Sequence, residues 1–181
     1  ALAEIGDKTQ LLTLLMAARS RTPWPIVAGI LAATLLNHAL AGLLGAWITS
    51  TITPQVLRWV LGLSFIGMAI WTLIPDKIED EETQIAARFG VFGATLITFF
   101  LAEMGDKTQI ATIAMAAHYA APVMVVIGTT LGMLIADVPA VFVGDKLANK
   151  IPMKLVHSIA AAIFAVLGVM TLLGAGARFG V

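Results

Sequence analysis

An all-α polytopic membrane protein, with six transmembrane helices arranged as two inverted three-helix repeats, is the fold that three features of this 181-residue sequence predict. The chain is 59% hydrophobic and 12% charged, with a mean hydropathy of +0.94, whereas soluble domains carry about a quarter charged residues. Its apolar residues fall into six runs of roughly the 20 residues that a helix needs to cross a bilayer core about 30 Å thick. The sequence also repeats at the offset of 99 residues that separates Leu2 from Leu101.

The six runs cover about 1–19, 24–48, 56–74, 89–117, 122–144 and 153–174. The first carries "LAEIGDKTQ" and stops against Arg19 and Arg21. The second follows Pro23-Trp24-Pro25 and the third follows Pro54. The hydrophilic stretch "PDKIEDEETQIAAR", Pro75 to Arg88, separates the third from the fourth, which carries "LAEMGDKTQ". Pro122 opens the fifth and Pro152 the sixth, positions that suit helix boundaries because proline lacks the N–H that a helix interior requires. Trp24, Trp47, Trp59 and Trp71 fall near span ends, where amphipathic rings favour the membrane–water boundary.

The internal match aligns Thr13 with Thr112, Met16-Ala17-Ala18 with Met115-Ala116-Ala117, Pro23 with Pro122, Gly45 with Gly144 and Phe65 with Phe164. Equivalent positions are three crossings apart, an odd number, so the copies enter the membrane from opposite sides, as in transporters whose ion sites lie where the repeats meet. The expected division is 1–74 as the first repeat, 75–88 as a linker and 89–181 as the second repeat. Glu103 follows about 13 apolar residues of its span and Glu4 only three, so about a dozen further residues are expected before Ala1 to complete the first helix.

Arg19, Arg21, Lys77, Arg88, Lys146, Lys150 and Lys154 fall on one face of this topology, against Arg58 and Arg178 on the other. The lysine- and arginine-rich face is expected to be cytoplasmic, which puts the acidic linker inside. Eleven basic residues balance eleven acidic ones, so net charge offers nothing to nucleic acid. With no cysteine, disulfides, thiolate metal sites and cysteine nucleophiles are excluded.

Inside the spans stand Glu4, Asp7, Glu103, Asp106 and Asp137 against Lys8 and Lys107. A charge at the bilayer centre costs at least about 2.5–3.5 kcal/mol, so such residues usually face a bundle interior or a water-filled cavity. The excess of acid is most simply compensated by a divalent cation together with protons. In a continuous helix Glu4/Asp7 and Glu103/Asp106 are i,i+3 pairs that share a face, and Gln10 and Gln109 add amide oxygens. Asn37-His38 aligns with Ala136-Asp137, which puts Asn37 and Asp137 at mid-span. The expected metal set is therefore Glu4, Asp7, Glu103, Asp106, Asp137, Gln10, Gln109 and Asn37, an oxygen-rich group suited to Mn²⁺ or Ca²⁺. Lys8, Lys107, Thr9, Thr108, Gly6 and Gly105 are expected to support it. His38 could add a nitrogen, although a structural hydrogen bond is the more ordinary role, and His118 and His157 have no ligand spacing.

A purely structural reading makes Glu4–Lys8 and Glu103–Lys107 self-neutralising i,i+4 pairs, but it leaves the aspartates unexplained. The glycines between the acids suit either a local unwinding that frees carbonyls or close helix packing, as in the small-xxx-small spacing of Gly128 and Gly132.

The doubled E-x-G-D-K-T, Glu4 to Thr9 and Glu103 to Thr108, resembles the signature of the Gdt-type cation/proton exchanger family, which includes Golgi manganese and calcium transporters and bacterial manganese exporters. The likeness extends over essentially the whole chain. It implies exchange of Mn²⁺ or Ca²⁺ for protons, both motifs supplying the ion site, and it implies no cofactor. The short loops look more like a bacterial or chloroplast-type member, which implies a bacterial inner membrane or an organelle equivalent; a homodimer is compatible with this pattern. An exporter of amino acids or other small organic solutes, and a cation channel, are rival readings. An intramembrane aspartyl protease fits less well, because G-x-G-D is not met: Glu4 and Glu103 stand where its first glycine should be. The chain is therefore not expected to be an enzyme.

Overall fold

The computed structural model describes residues 5, 7–20, 22–74, 89–143 and 153–174. Among these are seven helices and no strand: α1 Lys8–Arg19, α2 Pro23–Thr51, α3 Pro54–Thr72, α4 Gly90–Glu103, α5 Lys107–Tyr119, α6 Pro122–Val143 and α7 Met153–Leu172. Three of them are long and apolar enough to cross a membrane: Pro23–Thr51, Pro54–Thr72 and Pro122–Phe142. The acidic linker Pro75–Arg88, with Pro152, Glu4 and Gly6, lies outside the described residues.

Local chemistry explains the boundaries. α2 and α3 begin on proline directly after Thr22 and Thr53, where the missing N–H is no loss. Pro139, by contrast, lies inside α6. Two expected spans depart: in the first, 1–19, the helix begins only at Lys8, with Asp7 as an extended N-cap, so the expected helical i,i+3 pairing of Glu4 with Asp7 does not hold; the larger departure is in the fourth. The segment 89–117 is not one helix but two, α4 and α5, because Gly105 takes a φ of +80°, a left-handed conformation that interrupts the helical hydrogen-bond ladder and that glycine adopts without steric cost. Threonines tolerate the apolar setting by donating to the carbonyl one turn back, as Thr72 does to Met68, Thr112 to Thr108 and Thr171 to Leu167, so their hydroxyls are satisfied within their own helices.

Apolar and polar residues are distributed inside out. Leu43, Met124, Ile135, Val166 and Leu173 are exposed, as are Trp24, Trp47 and Trp59, while Asp7, Glu103, Asp137, Asn37 and Lys107 are buried. Hydrocarbon is the solvent that such a surface fits, since exposed apolar area on this scale is unfavourable in water.

α2 is the central helix and packs on α1, α4, α5 and α6. Its contacts give the directions. Gly29 meets Thr95, Asn37 reaches Phe100, and Gly45 meets Ile113 and Ala116, so α2 runs parallel to α4 and α5. Trp24 meets Phe142, His38 meets Thr130 and Gly42 meets Val126, so α2 is antiparallel to α6. α3 and α7 form an antiparallel pair, joined to the rest where α3 packs on α5; their backbones close on Gly62 and Gly168, where an added Cβ would lie 2.5 Å from Leu172 and 2.7 Å from Ile66. Gly128 behaves otherwise: a Cβ there meets nothing within 4 Å, so the expected small-xxx-small contact at Gly128 does not form.

Candidate functional site

The break after α4 determines where the second motif's charges go. Glu103 is the last residue of α4 and Lys107 the first of α5, with Asp106 as the cap between them. The expected i,i+3 pairing of Glu103 and Asp106 on one helix face is therefore corrected, and so is the i,i+4 register of Glu103 with Lys107, because the positive φ of Gly105 stops the helical repeat between them. An added Cβ at Gly105 would meet no atom within 4 Å. Unwinding, not close packing, is what this glycine provides.

The first motif reproduces the second half of that geometry. Asp7 caps α1 with φ −75° and ψ 168°, against −76° and 165° for Asp106 capping α5. The Asp7 carboxylate accepts the Lys8 backbone N–H at 2.7 Å through Oδ1, an N-cap contact made to the first helical residue rather than to the second or third. Its other oxygen, Oδ2, stands 3.0 Å from Lys107 Nζ, with both side chains buried. The lysine of the second motif thus neutralises the aspartate of the first. Removing one partner of such a buried pair typically costs about 3–5 kcal/mol, because the other charge is left uncompensated in a low-dielectric interior.

Amide side chains extend the site. Gln109 Oε1 accepts the Gly105 backbone N–H at 2.7 Å, which steadies the unwound turn, and its Nε2 donates to Asn37 Oδ1 at 3.3 Å. Asn37 in turn donates to the Phe100 carbonyl at 3.0 Å. Gln10 makes the counterpart link by donating to the Ala136 carbonyl at 3.1 Å, the position that the 99-residue offset pairs with Asn37. One residue on, Asp137 Oδ1 accepts from Thr13 at 3.4 Å. Each motif glutamine therefore reaches the same point on the second helix of the opposite half.

Of the expected set, Asp7, Gln10, Asn37, Glu103, Asp106, Lys107 and Asp137 are all buried. Glu4 and Gly6 lie outside the described residues. Among the described residues, no three His, Asp or Glu side chains converge as a ready-made metal cluster. His38 donates to or accepts from Thr130 at 3.3 Å. Two further residues reach the motifs without a ligand-type signal in the sequence: Thr13, one turn beyond Gln10 in the same helix, and His157, which lacks ligand spacing yet contacts the first motif at Ile5.

Comparison with known proteins bears on what this arrangement serves. The sequence matches the family described as "Divalent cation/proton antiporter GDT1" over residues 1–80 and 91–178. The chain belongs to the GDT1 family. It is 53% identical to a Vibrio cholerae protein named "Putative manganese exporter", an alignment that covers 94% of this chain and 85% of the relative. GDT1-like protein 3 of Oryza sativa subsp. indica is 33% identical over 90% of this chain and 66% of its own, and a GDT1-like protein of Synechocystis is 30% identical over 93% and 90%. No solved structure matches the chain. As a GDT1 chain this is a membrane transporter of divalent cations and protons, not an enzyme.

Proposed function

We propose that this protein exports Mn²⁺ from the cytoplasm in exchange for protons, across a bacterial inner membrane, using the two motifs as one ion site. The observation that carries this reading is the buried Asp7–Lys107 pair at 3.0 Å, which joins the two motifs through the groups that must separate if a metal is to enter. In the metal-free protein the Lys107 ammonium occupies the place of a cation. An incoming Mn²⁺ displaces it and recruits Asp7 with Glu4, Glu103, Asp106 and Asp137, while Gln10, Gln109 and Asn37 supply neutral oxygens. Hard, oxygen-rich sites of this kind suit Mn²⁺ and Ca²⁺ alike. The name of the Vibrio cholerae relative favours Mn²⁺.

Proton coupling follows from competition. Carboxylates that bind metal must be deprotonated, and protonated ones release it, so the same acids carry either one metal or protons. Six spans in two inverted repeats, 1–74 and 89–181 with the acidic linker cytoplasmic, supply the alternating access. The crosswise packing of α1 on α6 and of α2 on α5 supports this arrangement, as do the matched torsions of Asp7 and Asp106. Rocking of one repeat against the other would open the site to each side in turn.

The test is Mn²⁺ uptake into proteoliposomes under an imposed pH gradient, with Ca²⁺ in a parallel arm. Glu103→Gln and Asp106→Asn should each abolish uptake. Wild-type rates in both variants, or uptake indifferent to the pH gradient, would remove the reading; faster Ca²⁺ than Mn²⁺ exchange would change the cargo alone.

A further inference from the structure

His157, in the first turns of α7, places Nε2 3.0 Å from the backbone carbonyl of Ile5, the first of the two residues between Glu4 and Asp7. A carbonyl only accepts, so Nε2 carries the proton. The contact joins elements distant in the packing: α7 packs chiefly on α3, which packs on α5, whereas Ile5 precedes α1, which packs on α6, α4 and α2. It also distinguishes the motifs. The 99-residue offset pairs His157 with Arg58, which is exposed, and Ile5 with Met104, which is also exposed. In the second motif the turn is held from within, by Gln109 on the Gly105 N–H. In the first, a helix from the far end of the chain adds a contact at Ile5.

We infer that His157 is a positioning residue for the exchange reaction: by donating to the Ile5 carbonyl it fixes the turn that presents Asp7 to the ion. This rests on the proposed reading of the motifs as the ion site. The bond needs only an N–H at the right reach, so neutral imidazole and imidazolium serve equally, and the effect belongs to affinity rather than to turnover.

Mn²⁺ concentration series in proteoliposomes separate these quantities. His157→Leu should raise KM about fivefold to tenfold, the equivalent of one lost hydrogen bond, with Vmax within about twofold of wild type. His157→Gln retains an N–H donor of similar reach and should stay within about twofold in KM, whereas His157→Asn is too short and should follow His157→Leu. An unchanged KM in His157→Leu, or equal impairment in His157→Gln, overturns the inference. Should the variants fail to fold, ¹⁵N-histidine NMR of the wild-type protein decides it, since the chain has 3 histidines: a His157 ring protonated at Nε2 is expected, and one protonated only at Nδ1 overturns it. Absence of Mn²⁺/proton exchange in the wild-type protein would instead refute the proposed function and leave the NMR result standing.

Discussion

Lys107 Nζ lies 3.0 Å from Asp7 Oδ2 in the protein interior, so the lysine of one copy of the motif is paired with the aspartate of the other. Asp7 caps the first turn of α1, and Lys107 begins α5.

That pair should behave as a coupled unit. Asp7→Asn keeps the α1 cap but removes the carboxylate charge 3.0 Å from Lys107, and Lys107→Gln removes the ammonium charge beside Asp7, so each should lower stability by about 3–5 kcal/mol. The double variant should be more stable than the sum of its singles by about 1–3 kcal/mol. Unfolding in mixed micelles measures the cycle, and strict additivity would mean that the ion pair is energetically idle.

Glycine substitutions should rank by what surrounds them. Gly105→Ala forces a Cβ into φ +80°, worth roughly 1–2 kcal/mol of strain. Gly45→Ala places a Cβ 2.6 Å from the Ile113 carbonyl and 2.8 Å from Ala116 Cβ, an overpacking cost of about 1–3 kcal/mol. Gly128→Ala meets nothing within 4 Å and should be neutral or gain up to about 1 kcal/mol, the helical advantage of alanine. Thermal melts would contradict the packing account if Gly128→Ala were as damaging as Gly45→Ala.

The amide relay should also act as one element. Asn37→Ala removes the side-chain donor to the Phe100 carbonyl and the acceptor of the Gln109 amide, a loss of about 1–3 kcal/mol. If that loss falls on the assembled site, Mn²⁺ uptake drops about tenfold or more, since about 1.4 kcal/mol is a factor of ten. Gln109→Ala frees the Gly105 turn as well, and combining the two should add little to either alone. Independent, multiplicative losses would show that the two amides do not work together.

pH should act with opposite sign on the two faces of the membrane. On the proposed exchange, in which protons compete with metal for the same carboxylates, acidifying the side from which Mn²⁺ loads should raise its KM. Acidifying the opposite side favours release there and speeds turnover. Uptake rates with each face varied separately check this, and the same response on both faces would exclude exchange at a shared site.

Much of this protein can be read from the sequence because the governing terms are local. An apolar composition, proline at helix starts and tryptophan near helix ends follow from solvent and backbone chemistry residue by residue, and the duplicated octet marks charge where charge is expensive. That was enough to identify the family and to place Asp7, Asn37, Glu103, Asp106 and Asp137 in the interior. Tertiary structure alone decided what those charges meet. A periodicity argument assumes an unbroken helix, and under it Lys107 belongs to Glu103; the positive φ of Gly105 ends the helix between them. Glycine is compatible with unwinding and with close packing, and only the empty space around Gly105 chooses between them. Contacts such as Lys107–Asp7, Gln10–Ala136 and His157–Ile5 join residues far apart in the chain. No local pattern encodes them, because they arise from how whole helices cross.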